Sequence, residues 1–250
     1  MSEPRFILAL RLADNALVLG HRLSEWSGRA PTLEEDIALS NLALDLIGQA
    51  RMLYVHAGEL EGAGRGEDDF AYLRDDRDYR NVLLVEQPNG DFAATMVRHL
   101  IYAAHAHPFM QALMRSTDGT LAAIAAKAEK EMAYHLRHAS EWVIRLGDGT
   151  QESRRRAQAA LDDLMPYADE LFATDAGDLA LIAAGIAPDP ADVRPAFDRT
   201  LDHVLAEATL AAPRRGHGQS GGRDGIHSEH LSRLLAEMQS LHRAHPGATW

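Results

Sequence analysis

The sequence predicts an all-α protein. Hydrophobic residues make up 46% of the 250 residues, but aromatic residues make up only 6%, a composition that favours packed Ala- and Leu-rich helices over stacked strands. Apolar residues recur at helical spacing through several long stretches, and no stretch shows the alternation typical of a strand. A chain of this length can form one sizeable domain with a buried core or at most two small domains, and we expect a single domain over residues 1–250.

Four long helices are predicted to form the core of this domain. Gly28 and Pro31 mark the end of the first helix, and Thr32 with Glu35 three residues later has the pattern of a capping box at the start of the second. Pro108 predicts a kink or a local break in the third helix. The predicted core helices cover residues 5–28, 32–60, 92–115 and 120–146. The spacing in the second predicts one largely apolar line, formed by Leu39, Leu42, Leu46, Gln49 and Leu53.

Three accessory helices are predicted after the core. They cover residues 151–172, 192–210 and 228–244. Pro166 predicts a distortion in the first of them, and Ser228 is a suitable N-cap for the last. The apolar spacing of the last helix predicts a buried stripe of Leu231, Leu234, Leu235, Met238 and Leu241.

The charge and the cysteine content exclude several classes of function. The formal net charge of −12 argues against nonspecific binding to nucleic acids and to anionic membranes. Because the chain has no cysteine, it has no disulfide, zinc–thiolate site, iron–sulfur cluster or thiol nucleophile. The first apolar run is broken by Arg11, Asp14 and Asn15, so neither a signal peptide nor a membrane span is expected. A cytoplasmic location follows as the expectation.

The fourth core helix is predicted to carry polar side chains towards its buried face. Glu131 and His138 flank a predicted stripe of Ile124, Ala128, Met132, His135, Ala139, Trp142 and Leu146. Di-iron helical bundles place Glu-x-x-His on each of two core helices, because this spacing brings both ligands to one face. Here Met132 stands three residues before His135, and none of the 13 histidines has a glutamate three residues earlier.

The second and third core helices also lack the di-iron pattern. Leu46 and Gln49 stand where a di-iron helix would carry glutamate and histidine, and no carboxylate lies between Phe92 and Ser116. One histidine with glutamine and methionine cannot balance the charge of two iron ions. We therefore expect no metal in this chain and regard four residues as vestigial ligand positions: Leu46, Gln49, Met132 and His135.

Two groups of polar residues have competing interpretations. We expect Glu131, His135 and His138 to form a buried hydrogen-bonded cluster, although the same residues could be a ligand or catalytic set. A second group precedes the last helix, where a polar cluster at the start of a helix competes with a metal site. Its members are Asp224, His227, Glu229 and His230.

Several long strings of the sequence are similar to one family. The chain resembles, over essentially its full length, the C subunits (PaaC type) of the bacterial ring 1,2-phenylacetyl-CoA epoxidases, which are multicomponent oxygenases of phenylacetate degradation. The matching strings are LRLADNALVLGHRLSEW at 10–26, LALDLIGQAR at 42–51, LLVEQPNGDFA at 83–93, KEMAYHLRHASEW at 130–142 and GIHSEHLSRLLAEMQSLHRAHPGATW at 225–250.

The resemblance implies a ferritin-like four-helix bundle with additional helices and a degenerate, metal-free di-iron site. In that family the homologous A subunit holds the iron and epoxidises the aromatic ring of the CoA thioester. A reductase subunit delivers electrons from NADPH through flavin and iron–sulfur centres, and a small B subunit joins the assembly. The C subunit pairs with the A subunit and is regarded as structural.

The resemblance therefore implies no catalytic residue and no cofactor in this chain, with the A, B and reductase subunits as partners. No nucleic acid or membrane partner is expected. An apolar docking face left without its partner is compatible with a homodimer of the isolated chain, and the sequence does not decide between this homodimer and a monomer. Two alternatives stay open at this point: a catalytic ferritin-like oxygenase with an atypical metal site, and a helical scaffold protein unrelated to phenylacetate.

A Gly- and Arg-rich stretch at 212–223 is predicted to be a loop. The favoured interpretation is a disordered surface loop. The competing hypothesis is a mobile basic segment that orders against a partner or against the phosphates of CoA. Its arginines are Arg214, Arg215 and Arg223.

Overall fold

The computed structural model describes residues 2–213 and 218–248, and within these ranges every regular element is a helix. The all-α prediction is confirmed, and the architecture is consistent with a ferritin-like fold. The chain divides into two compact units. The first unit contains residues 1–27, 37–88 and 221–250, and the second contains residues 28–36 and 89–220.

Ten α-helices lie in the described ranges. They are α1 (Ser2–Ser24), α2 (Leu33–Glu61), α3 (Glu67–Tyr72), α4 (Leu83–Glu86), α5 (Phe92–Leu113), α6 (Gly119–Gly147), α7 (Gln151–Leu164), α8 (Ala176–Ala183), α9 (Pro190–Glu207) and α10 (Glu229–Ala244). Three 3-10 helices accompany them, over Asp76–Asp78, Met165–Phe172 and Gly222–Asp224. None of these helices is long and apolar enough to cross a membrane.

The four stretches expected to be core helices are occupied by α1, α2, α5 and α6. The first helix ends at Ser24 rather than near Gly28, because the chain continues in tighter turns in which the amide of Ser27 donates to the carbonyl oxygen of Ser24 at 3.0 Å. The third does not break at Pro108: α5 is continuous from Phe92 to Leu113. Proline removes a single helical donor, and the hydrogen bonds resume beyond it, with the amide of Met114 donating to the Met110 carbonyl at 3.0 Å.

The helix expected over 151–172 has two parts. It is α-helical from Gln151, where the Thr150 hydroxyl accepts a hydrogen bond from the amide of Ser153 at 3.1 Å, as far as Leu164. It then continues as the 3-10 helix Met165–Phe172. The change falls at Pro166, which lacks the amide proton that a continuing α-helix requires.

In the first unit, α1 and α2 approach each other closely. A Cβ atom added to Gly20 would lie 3.1 Å from Cγ1 of Ile47 and 3.3 Å from Cβ of Leu46. Glycine therefore lets the backbone of α1 lie directly against the side chains of α2. The predicted apolar line of α2 is buried as expected, at Leu39, Leu42, Leu46, Gln49 and Leu53.

The helix α10 packs on α3 and on the 3-10 helix Asp76–Asp78. Its buried face begins as predicted but ends differently, since Leu241 is exposed and Gln239 is buried. Nε2 of Gln239 donates to the carbonyl oxygens of Ala71 at 3.1 Å and of Arg74 at 3.0 Å. Gln239 is buried on this face, where the spacing predicted Leu241, because its amide group donates to two backbone carbonyl oxygens.

In the second unit, α5 packs mainly on α6, and also on α7 and α9. The buried face of α6 follows the predicted stripe through Ala139 and then departs from it. Val143 and Gly147 are buried, whereas Trp142 and Leu146 are only partly covered. After His135 the buried residues of α6 are spaced four apart, at Ala139, Val143 and Gly147. Trp142 instead makes an edge-on contact with Phe92, with ring centroids 4.9 Å apart.

Candidate functional site

The four vestigial ligand positions all lie inside the protein. Leu46 and Gln49 lie on the buried face of α2, and Met132 and His135 lie on that of α6. Their side chains supply a hydrocarbon, an amide, a thioether and an imidazole, and no carboxylate. Within residues 2–213 and 218–248, no group of three or more His, Asp or Glu side chains is arranged to hold a metal ion. These residues do not fit a di-iron centre, which needs several bridging and terminal carboxylates.

Glu131 and His138 of α6 each have an ionic partner in the second unit. Nε2 of His138 lies 2.9 Å from Oε2 of Glu35, and both side chains are almost fully buried. Glu131 forms an ion pair with Lys127 at 3.3 Å. His135 is fully buried on the same face of α6. The sequence indicated Glu35 only as part of a capping box, and its pairing with His138 was missed because 103 residues separate the two.

A second buried histidine, His99 on α5, lies against His135, with ring centroids 5.1 Å apart. His99 is fully buried, and neither of its ring nitrogens has a hydrogen-bond partner among the described residues. Burial, reinforced by repulsion from His135, His138 and Arg98, holds the pKa of His99 well below its ordinary value. The ring is therefore neutral at pH 7. Sequence spacing did not single out His99, since Met96 stands three residues before it.

The first unit contains a buried carboxylate at the end of α4. Glu86 is fully buried, and its two oxygens accept three hydrogen bonds. Oε1 accepts from the amide of Ser228 at 2.7 Å, and Oε2 accepts from Nδ2 of Asn81 at 2.9 Å. The third donor is Nδ1 of His227, 2.7 Å from Oε2. Protein donors therefore take the place of water around this buried carboxylate.

The ring of His227 lies between two acceptors. Nε2 lies 3.0 Å from the carbonyl oxygen of Tyr79, while Nδ1 faces Glu86. Because a carboxylate and a carbonyl oxygen are both acceptors, the imidazolium form, which carries a proton on each nitrogen, satisfies both contacts. Burial by itself lowers the pKa of His227, but the hydrogen bonds that the ring donates to Glu86 and to the Tyr79 carbonyl oxygen outweigh burial and raise the pKa. Of the two interpretations of the group before the last helix, the structure favours a polar cluster, with its principal partner on α4.

A second buried ion pair joins Asp14 on α1 to Arg74. The hydroxyl of Tyr54 donates to Oδ1 of Asp14 at 2.5 Å, and the amide of Arg80 donates to Oδ2 at 2.7 Å. Burial opposes the charge of Arg74, but the Asp14 carboxylate outweighs it and raises the pKa of the guanidinium. Burial, with Asp14 next, raises the pKa of Tyr54 well above its ordinary value. Every group here is neutralised or hydrogen-bonded by protein, which is the arrangement of a structural network.

The Gly- and Arg-rich stretch is only partly described. Arg214 and Arg215 lie outside the described residues. Arg223 lies in the short 3-10 helix Gly222–Asp224 and is partly buried. This helix rests on the chain near Asn81, because a Cβ atom on Gly222 would clash with the Asn81 carbonyl oxygen.

Comparison with known proteins agrees with the resemblance carried by the matching sequence strings. The family described as phenylacetic acid catabolic protein matches residues 2–250. The chain is also 49% identical over 242 residues to the C subunit of the 1,2-phenylacetyl-CoA epoxidase of Escherichia coli (strain K12), a match that covers 96% of this chain and 97% of that protein. The chain therefore belongs to the family of phenylacetic acid catabolic proteins.

Proposed function

We propose that this chain is a non-catalytic subunit of a phenylacetyl-CoA epoxidase and that it pairs with a homologous di-iron subunit. The identity of 49% to a protein named as the C subunit of such an epoxidase carries the assignment to the complex. The donor set supports the non-catalytic role, because the four ligand positions include no carboxylate. In the proposed assembly the iron belongs to the partner, and flavin and iron–sulfur centres belong to a reductase subunit.

One surface of the chain supports pairing with another long helix. Within the first unit, the helix α2 exposes three large apolar side chains: Ile37 (55%), Leu44 (65%) and Val55 (43%). At 3.6 residues per turn these positions fall within about 20° of one another around the helix axis, and they extend along it for about 27 Å. We call these three residues the α2 stripe. An exposed apolar stripe of this length is typical of a surface that another protein covers.

The pairing is tested by placing a charge in the middle of the α2 stripe. Leu44→Glu would bury a carboxylate in the proposed interface, and we expect the di-iron subunit to bind at least about tenfold more weakly, which corresponds to about 1.4 kcal/mol. The measurement is titration of the purified chain with the purified partner. Leu179→Glu is the matched control, since Leu179 is also largely exposed (59%) but lies on α8. Equal affinities of the two variants would contradict the docking role of the stripe.

The non-catalytic role is tested separately. We expect the purified chain to contain no stoichiometric iron and to produce no epoxide from phenylacetyl-CoA with NADPH and the reductase subunit. Activity is expected to appear when the homologous di-iron subunit is added. Stoichiometric iron together with turnover by the isolated chain would overturn the proposal.

A further inference from the structure

The segment from Gly221 to Ser228 leads the chain into α10 and lies directly on another part of the first unit. Besides the contact at Gly222, a Cβ atom on Gly225 would clash with the carbonyl oxygen of Arg77. Gly221 and Gly225 have φ angles of 138° and 79°, which other residues adopt with strain. The segment therefore packs closely against the residues beneath it, and the backbone turns at one glycine at its start and at another in its middle.

Side-chain hydrogen bonds to this segment converge on one residue. Ile226 is largely exposed, but the side chain of the adjacent His227 is only 3% exposed and faces the fully buried Glu86. The same carboxylate accepts from the amide of Ser228. A single ion pair thus holds both the side chain of His227 and the backbone that starts α10.

The other charged groups around His227 come from several elements. From α1 come Asp14 and Arg22, and Arg22 donates to the backbone oxygens of Glu86 at 2.8 Å and of His230 at 3.1 Å. The remaining groups are Asp76, Arg77, Arg80, Asp224 and Glu229. Two of the arginines are bonded elsewhere: Arg22 to backbone oxygens and to Glu25, and Arg80 to the carbonyl oxygens of Arg77 and Tyr79. The ion pair with the Glu86 carboxylate is made by His227.

We propose that His227 is a pH-operated latch, which as an imidazolium holds residues 221–228 on the first unit and on losing its proton releases them. A neutral ring carries a proton on only one nitrogen, so its other nitrogen would direct a lone pair at the oxygen of Glu86 or of Tyr79. Glu86 would also remain buried without its cation, which is strongly unfavourable. Release of the segment lets water reach the carboxylate.

The direction of the switch follows from the surroundings of the ring. Although burial acts to lower it, the pKa of His227 is raised by its hydrogen bonds with Glu86 and with the Tyr79 carbonyl. The latch is therefore closed below the ordinary histidine pKa of about 6.5 and opens as the pH rises through the raised pKa of His227. This inference concerns the first unit alone and does not depend on the partner subunit proposed above.

Hydrogen exchange in the full-length chain tests the latch. Amide exchange of peptides covering 221–230 is measured from about pH 6 to about pH 9.5, with labelling times scaled for the intrinsic pH dependence of exchange. We expect protection of this segment to fall by roughly tenfold for each unit by which the folded pKa exceeds the unfolded value, while peptides of α1 keep their protection. The charge of His227 is followed in parallel by the NMR shifts of its imidazole.

Two variants and one control complete the test. His227→Gln should give low protection of the segment at every pH, and Glu86→Gln should move the His227 titration to lower pH. His203→Gln is the control, because His203 is a largely exposed histidine (69%) on α9 and should leave the profile unchanged. Constant protection of the wild-type segment while His227 titrates would overturn the latch. A neutral His227 ring at about pH 6 would overturn it as well.

Discussion

His227 in the first unit and His99 in the second are both buried histidines, yet their pKa values move in opposite directions. Burial lowers the pKa of each ring. The oxygens of Glu86 and Tyr79 face His227 and outweigh the effect of burial on its pKa. His99 instead lies near Arg98 and two other histidines, and it has no hydrogen-bond partner among the described residues. Depth in the protein therefore does not decide the charge of a histidine. The charge of a buried histidine depends on the hydrogen-bond acceptors that the fold places around its ring.

The same comparison separates the roles of the two units. The first unit holds buried charges, Glu86 with His227 and Asp14 with Arg74, each with its counter-ion. In the second unit the buried ring of His99 lies against another histidine, and burial keeps it neutral. An alkaline switch is possible only in the first case, because a ring that is already neutral has no charge to lose as the pH rises.

The largest effect should come from removing the acceptor of the first unit. Glu86→Leu leaves His227, the Ser228 amide and Asn81 without their shared carboxylate, and we expect a loss of about 3–5 kcal/mol in the free energy of unfolding. Urea denaturation followed by circular dichroism measures it. Glu129→Leu is the control, since Glu129 pairs with the partly exposed His107 at 3.2 Å and should cost about 0–1 kcal/mol. Equal losses would show that the Glu86 site is not a coupled ion pair.

A carboxylate added to the second unit should also destabilise it. Met132→Glu recreates the Glu-x-x-His spacing with His135, but it places a carboxyl group where the wild-type protein has a fully buried apolar side chain. We expect a loss of about 1–3 kcal/mol or more and no stoichiometric iron by metal analysis. Met114→Glu, at a position that is 43% exposed on the end of α5, should be close to neutral. A stable Met132→Glu protein that binds iron would contradict the assignment of position 132 as core.

The free energy of unfolding should depend on pH through the titration of both His227 and His99. Because the folded pKa of His227 is raised, its contribution is complete below the unfolded pKa of about 6.5 and is lost as the pH rises through the folded pKa. Because the folded pKa of His99 is lowered, stability is lost as the pH falls from about 6.5 towards the folded pKa. Urea denaturation at several pH values should show the alkaline loss vanish in His227→Gln and the acid loss diminish in His99→Leu. Unchanged slopes in both variants would refute the assignment.

The smallest effect should be a gain. His99→Leu removes two buried ring nitrogens that have no hydrogen-bond partner among the described residues, and we expect the protein to become more stable by about 1 kcal/mol at pH 7. His107→Leu is the comparison, since this ring is bonded to Glu129 and should not yield a gain. Differential scanning calorimetry of the two variants measures the difference. A loss of about 2 kcal/mol in His99→Leu would mean that the ring is hydrogen-bonded in solution.

The fold class was predictable because helices have local sequence signals, namely the spacing of apolar residues and the capping residues at their ends. Apolar spacing located the buried line of α2, including Leu46 and Gln49, and capping residues such as Ser228 located the start of α10. The helical spacing of apolar residues did not predict that Gln239 of α10 is buried. This polar side chain is buried because it donates to the backbone carbonyl oxygens of residues 71 and 74. Periodicity records which face is covered, but not which groups cover it.

The polar sites were not predictable for a related reason. Glu86 appears in the sequence as the last residue of a short apolar stretch, and His227 lies 141 residues away. Spacing rules apply within one helix, so they found His135 and His138 on α6 but neither His99 on α5 nor Glu35 on α2. Pairs of this kind are determined by the tertiary fold, which the pattern of one sequence does not specify.

The first unit is assembled from three separate stretches of chain, and this has a consequence for protein synthesis. Glu86 leaves the ribosome 141 residues before His227, an interval of roughly 7–28 s at about 5–20 residues per second. During this time all of residues 89–220 are made, so the second unit can fold while the carboxylate still lacks its cation. The nascent first unit must keep Glu86 hydrated until His227 arrives, and closure of this ion pair is therefore a late event in the biogenesis of the chain.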